Sequence, residues 1–150
     1  MLPTEKIHFH YIDVAFAFRN RNRLKNFVLK LFKGEGRTVD QVNYIFCTDA
    51  YLLKLNKEYL KHDTLTDIIT FELSAPGTPV LSDIYISIER VKQNSKLYHM
   101  PFKNELHRVI FHGALHLCGY RDKTKYQKSI IREKEDSYLN KYFVPRGTKR

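Results

Sequence analysis

Apolar positions along this chain recur with two periods, and the changes of period mark the elements. Residues 8–14 (His-Phe-His-Tyr-Ile-Asp-Val) are rich in β-branched and aromatic side chains and predict an opening strand. Leu24, Phe27, Val28, Leu31 and Phe32 then repeat at helical spacing behind Asn20, a good N-cap residue, with Gly34 as the stop. Residues 42–47 are nearly all apolar or aromatic and predict a second strand. Thr48 or Asp49 caps a helix carrying Leu52, Leu55 and Tyr59. Residues 66–73 predict a third strand, the Ala75-Pro76-Gly77-Thr78-Pro79 run a turn, and residues 80–87 alternate as a fourth strand. Ser87 opens a helix reaching about His99, which Met100-Pro101 breaks. The next helix starts near Lys103 or Asn104 and buries Leu106, Val109, Ile110, Gly113 and Leu117, spaced i, i+3, i+4, i+7 and i+11. A last helix runs from Thr124 to about Tyr142, and the tail beyond it reads as frayed and basic. The expected fold is α+β: a small mixed four-stranded sheet packed with about five helices.

The penultimate helix also carries the chemistry. Its sequence from residue 111 to 122 contains H-x3-H-x5-D, made by His112, His116 and Asp122. At about 100° per residue the two histidines share a stripe at the side of the buried face, with Cβ atoms about 5–6 Å apart. Gly119 supplies a left-handed stop, and the turn it makes can carry Asp122 back over the imidazoles. Asp122 is free for this because Thr124 and Gln127 already form a Thr-x-x-Gln capping box for the next helix. Two imidazoles and one carboxylate offer three ligands to a divalent metal and leave a position open for water, the arrangement of catalytic rather than structural sites. Zinc is the first expectation, and nickel or iron also suits these donors. Cys118 projects away from the stripe and is not counted as a ligand. A helical His such as His107 is read as a buried histidine with one hydrogen bond.

Length and charge narrow the setting. The chain has 150 residues, read as one domain over 1–150, and is 43% apolar, enough for a sizeable core. It has no stretch of 18 apolar residues and no signal-peptide pattern, so neither membrane insertion nor export is expected. Cys47 and Cys118 show no disulfide framework, which fits a reducing cytoplasm. The formal charge of +10 favours a polyanionic partner, nucleic acid above all. Arg19, Arg21, Arg23 and Lys25 crowd the start of the first helix, where the helix dipole disfavours cations, so an anionic partner there is one reading and a solvated face the other.

Three ordered blocks resemble the YbeY family of bacterial metal-dependent endoribonucleases linked to ribosomal RNA maturation. The family's His-Gly-x-Leu-His-Leu-x-Gly-Tyr-Asp-His stands here as His112-Gly113-Ala114-Leu115-His116-Leu117-Cys118-Gly119-Tyr120-Arg121-Asp122. Its Leu-Asn-x-x-Tyr-Arg-x-x-Asp-x-x-Thr-Asp-Val-Leu-Ser-Phe stands as residues 55–71, and its Gly-Asp-Ile-x-Ile-Ser as Ser82-Asp83-Ile84-Tyr85-Ile86-Ser87. The resemblance implies RNA as substrate, ribosomal RNA or the ribosome as partner, one divalent metal, and action as a monomer. Two positions depart from it. The third ligand is Asp122 where the family has His, which makes bound water less acidic. Leu60 replaces an arginine that the resemblance places in the cleft on phosphate. Lys61, His62 and Arg121 are the candidates to restore that charge, as catalytic or substrate-binding groups, and Tyr59 is a candidate for stacking on a base.

The expected reaction is hydrolysis of a single-stranded RNA phosphodiester. A metallopeptidase is the rival enzyme, but H-x3-H peptidases place Glu directly after the first His, where this chain has Gly113. A non-catalytic RNA-binding ribosome-assembly factor, with the metal as a staple, is the rival of another class. Asp63, Thr66 and Asp67 either fix the turn into the third strand, or orient a metal ligand or line the cleft. Asp83 is either a polar strand residue or a partner for a ligating imidazole. Glu105 is expected to favour its helix N-terminus electrostatically. His8 and His10 share one face of a strand and are read as surface residues.

Overall fold

A computed structural model describes residues 3–60 and 66–144. The elements run β1 (Ile7–Tyr11), α1 (Arg21–Gly34), β2 (Val39–Cys47), α2 (Asp49–Leu55), β3 (Ile68–Glu72), β4 (Val80–Ser87), α3 (Ile88–Leu97), α4 (Phe102–Leu117) and α5 (Lys125–Phe143). A 3-10 turn over Pro3–Lys6 precedes β1, and one π-helical turn, Asn56–Leu60, extends α2. The expected α+β architecture is present.

The four strands are ordered β1-β2-β4-β3. β2 lies parallel to both β1 and β4, and β3 closes one edge antiparallel to β4. Near the β4 C-terminus, Ile86 pairs with Phe46 on one side and Ile68 on the other. That register places the residues just before β3, including Asp67, beside the end of the sheet that α4 covers; the Ser87 N–H donates to the Asp67 carbonyl at 3.0 Å.

One face of the sheet carries the main core, where Val42, Tyr44, Phe46, Ile84 and Ile86 meet Leu24, Val28 and Phe32 of α1 and Leu106, Ile110 and Ala114 of α4. A smaller cluster of Cys47, Leu52 and Ile69 sits under α2 on the other face. Each large apolar side chain buried this way contributes about 1.5–3 kcal/mol. The five positions expected to face inward on α4 are all buried. The buried Tyr44 hydroxyl donates to the Ile110 carbonyl at 2.9 Å and pins α4 to the central strand.

Local chemistry explains the boundaries. Thr48, Ser87 and Thr124 accept from the backbone N–H three residues on and cap α2, α3 and α5, the last as a full capping box with Gln127. β1 ends at Tyr11 rather than 14, because Asp13 takes a positive φ of 55°. Gly34 lies inside α1, and the left-handed residue is Gly36, two positions on. Asn20 holds the N-cap position of α1 without a side-chain capping bond. α4 begins at Phe102, behind Pro101, one residue before the expected start. Among the described residues no helix is long and apolar enough to cross a membrane.

Candidate metal centre

His112 and His116 leave α4 one turn apart, with ring centroids 4.5 Å from each other and planes at 80°. The chain then reverses as the spacing predicts. Gly119 adopts φ 102°, its N–H donates to the His116 carbonyl at 3.0 Å, and the Tyr120 N–H reaches back to the Leu115 carbonyl at 3.1 Å. This is a Schellman stop. Arg37 donates to the Leu117 carbonyl at 2.5 Å, a cation at the negative end of the helix. The Tyr120 hydroxyl donates to Glu35 at 2.8 Å, and Glu35 also accepts from Tyr138 of α5 at 2.5 Å. Burial raises the Glu35 pKa, but the hydroxyls of Tyr138 and Tyr120 and the Lys134 ammonium outweigh it, so the carboxylate is held below its ordinary range. The turn that carries Asp122 is thus fastened to both α1 and α5.

Asp122 Oδ2 lies 3.3 Å from His112 Nε2 and 3.4 Å from His116 Nε2. Those separations exceed the about 2.7–3.2 Å of an N–H···O hydrogen bond. They match the edge of a tetrahedron around a metal: bonds of about 2.0–2.1 Å give edges of about 3.3–3.4 Å. Among the described residues this is the one set of three His, Cys, Asp or Glu side chains whose donor atoms all lie within 4.8 Å of one another. The donor set therefore fits a divalent ion. Burial drives the Cys118 thiol up to about 12, so it is a protonated thiol outside the set.

Behind His112 stands a group that the sequence reading missed. Glu135, on α5 and only 4% exposed, receives the His112 Nδ1–H at 2.5 Å. A neutral imidazole bonded this way carries its proton on Nδ1 and turns the Nε2 lone pair toward Asp122, the usual carboxylate–histidine support of a metal ligand. Arg108 Nη1 donates to the other Glu135 oxygen at 3.0 Å, and Arg108 Nη2 to Asp136 at 2.9 Å. Burial disfavours the His112 imidazolium, yet the Glu135 carboxylate, with Asp122 and Asp67, more than offsets it and raises the pKa. The signal was present in α5: Ile131, Tyr138, Leu139 and Tyr142 mark its buried face, and Glu135 falls on that face.

The metal-binding face opens into a cleft walled by Leu60, Thr66, Asp67, Thr70 and Lys123. A second hollow of about 300 Å³ on the other side of His112 is lined by Tyr98, Glu105, Lys128 and Arg132 among others. Burial pushes the Asp67 carboxyl up, with the His112 charge opposing. Glu105 does sit in the first turn of α4, but it is also buried and raised, burial exceeding the pull of Arg108 at 3.9 Å. Asp83 faces away and accepts from Asn43 at 3.0 Å, so it is the polar strand residue of the two readings. His8 and His10 stack on β1 with centroids at 6.3 Å, and His107 is buried and bonded to the Lys103 carbonyl.

The candidates for the missing cation separate. Leu60, 42% exposed, is on the cleft wall as the resemblance implies. Lys61, His62 and Asp63 lie outside the described residues. Arg121 is exposed but is not among the residues lining the cleft, whereas Lys123, two positions on and overlooked in the sequence, is. Tyr59 is exposed, with its ring edge-on to Phe71 at 6.1 Å.

Gly113 stands where the peptidase arrangement needs a glutamate, and it has a steric role of its own. A Cβ there would lie 2.9 Å from Ile68 Cδ1 and 3.2 Å from Ile84 Cγ2. The glycine lets α4 seat closely against β3 and β4, and any side chain there requires Ile68 and Ile84 to shift.

Comparison with known proteins agrees. Residues 10–143 match the family model described as Endoribonuclease YbeY. A protein of that name from Flavobacterium psychrophilum is 44% identical over 92% of this chain and 97% of its own length. The one from Cytophaga hutchinsonii is 45% identical over 93% and 97%. The solution structure of a Thermotoga maritima protein superposes with a TM-score of 0.63 at 25% identity, covering 91% of this chain and 89% of that one.

Proposed function

The chain belongs to the YbeY family, and from that premise we propose that it is a metal-dependent endoribonuclease. It acts on single-stranded RNA in ribosomal RNA maturation and ribosome quality control, as a single domain and a monomer in the cytoplasm. The observation that carries the metal part is the pair of 3.3 and 3.4 Å separations from Asp122 to the two imidazoles. His112, His116 and Asp122 hold the ion, zinc first, with nickel or iron as alternatives the same donors accept. When bound, the ion supplies Lewis acidity toward a phosphoryl oxygen and acidifies water.

The protein's own groups do the rest. Glu135 holds the proton on His112 Nδ1 and keeps Nε2 aimed forward. The Asp122 carboxylate, as a third and anionic ligand, lowers the net charge of the centre relative to three histidines. Lys123 on the cleft wall, with Lys128 and Arg132 around the adjoining hollow, attracts the phosphates of the strand. Leu60 leaves part of the cleft wall apolar, so phosphate beside the metal meets the Lys123 point charge rather than a two-pronged guanidinium.

The test is cleavage of a labelled single-stranded RNA by purified protein stripped of metal and then reloaded. Activity returns with metal and is lost in His116→Ala and Asp122→Ala. Variants that cleave as fast as the wild type would show that the activity belongs to a contaminant.

A further inference from the structure

A hollow of about 360 Å³ lies away from the metal centre, between the N-terminal ends of α1 and α4. His107, which lines it, precedes His112 by five residues, about 7.5 Å along α4 and about 140° around it. Arg19, Arg23 and Lys103 edge the hollow, and no carboxylate is among its lining residues. These cations include members of the cluster that opens α1 and that the metal centre does not use. Arg23 is fixed in place: it donates to the Tyr142 carbonyl and its guanidinium lies 4.1 Å over the Tyr142 ring. Neither α1 nor α4 has a side-chain capping bond at its N-terminus, and no acidic residue occupies the first turn of α1.

The walls are aromatic. Phe16 meets Phe102 edge-on at 6.0 Å and Phe18 at 4.9 Å, and Tyr142 stacks on His107 at 5.2 Å. His107 itself is only 5% exposed. Its Nδ1 is 2.7 Å from the Lys103 carbonyl, which accepts, so the ring proton sits on Nδ1. Burial depresses its pKa to about 4, with the Lys103 bond opposing, and the ring is neutral. Nε2 is then the acceptor nitrogen of the ring.

We propose that this hollow is a second RNA-binding site that takes one unpaired nucleotide of the strand, with its phosphate on Arg19, Arg23 and Lys103 and its base against Phe16 and Phe102. Cationic edge, aromatic wall and the imidazole acceptor of His107 together match a nucleotide: phosphate, π-face and amino group. A base stacked on an aromatic side chain contributes about 1–3 kcal/mol, and arginine adds a cation–π share. The proposal rests on the reading that this protein handles RNA, and it places part of the strand on the face of α4 opposite the cut.

Binding rather than cleavage tests it. A fluorescent, uniformly 2′-O-methylated single strand, which cannot be cut, is titrated in chelator and read by anisotropy. Arg19→Glu/Lys103→Glu weakens binding about tenfold, and Ala17→Trp, which fills the mouth without changing charge, weakens it by a similar factor. A strand carrying 4-thiouridine cross-links to the peptides of Phe16 or Phe102. Unchanged affinity in both variants, or cross-links confined to the metal cleft, overturns the proposal. So does competition by polyglutamate as effective as by RNA, or an adenosine monophosphate that binds as tightly as the strand. A wild type that cleaves nothing but still binds and cross-links here refutes the nuclease reading and leaves this site standing.

Discussion

Replacing Glu135 with alanine separates metal binding from the ligands themselves. The carboxylate touches no ion; it receives the His112 Nδ1–H at 2.5 Å and shares its other oxygen with Arg108 at 3.0 Å. Removing it frees the imidazole to rotate and to lose the Nδ1–H tautomer. Loss of such a supporting carboxylate lowers metal affinity about 10- to 100-fold, which is about 1.4–2.7 kcal/mol. A second cost falls on the fold. Arg108, whose side chain is 13% exposed, keeps Asp136 at 2.9 Å and Glu105 at 3.9 Å but loses its closest buried partner. Orphaning a fully buried charge costs about 3–5 kcal/mol, and the two surviving carboxylates put Arg108 below that, at about 1–3 kcal/mol. The two costs are measured apart: zinc affinity by competition with a chromophoric chelator, and stability by urea unfolding of the metal-free protein. Zinc affinity within twofold of the wild type, in a protein that unfolds cooperatively, would refute the supporting role of Glu135.

Three further outcomes are expected. Gly113→Ala forces a Cβ to 2.9 Å from Ile68 and 3.2 Å from Ile84; overpacking of about 1–3 kcal/mol exceeds the roughly 1 kcal/mol gained in helix propensity, so the melting temperature falls. His107 has a pKa lowered to about 4 by burial, with the Lys103 and Arg23 charges acting the same way. The unfolded chain therefore takes up the proton first, and folding stability drops by about 3 kcal/mol as pH falls from about 6.5 to about 4. His107→Phe removes that part of the acid sensitivity in urea titrations, and an identical pH profile would contradict it. Leu60→Arg puts a guanidinium on the apolar cleft wall; kcat/KM for RNA rises about tenfold and its salt dependence steepens, whereas no change would mean that Lys123 already suffices.

The local parts of this structure were legible in the chain, and the long-range parts were not. The histidine stripe, the Gly119 stop and the Thr124–Gln127 capping box depend on neighbours within a turn or two, and all three are present. Together they suffice to place Asp122 over the imidazoles. Glu135 is 23 residues from His112, and their bond depends on how α5 crosses α4. A glutamate on a face otherwise made of Ile131, Tyr138, Leu139 and Tyr142 was the trace it left. Strand order was equally invisible, because nothing local says that β4 inserts between β2 and β3. Lys123 was passed over for Arg121 because the direction of a side chain after a left-handed glycine cannot be counted at 100° per residue. The arginine cluster at the start of α1 was noticed in the sequence, but its meaning needed α4, whose N-terminus forms the other wall.

The most direct test of the metal centre is a crystal of the protein grown with zinc, with anomalous diffraction collected across the zinc edge. The account predicts one strong anomalous peak about 2.0–2.2 Å from Nε2 of His112, Nε2 of His116 and a carboxylate oxygen of Asp122. The fourth position is open to solvent. A vacant site with Asp122 turned outward, or an ion closed off by a fourth protein ligand, would contradict it.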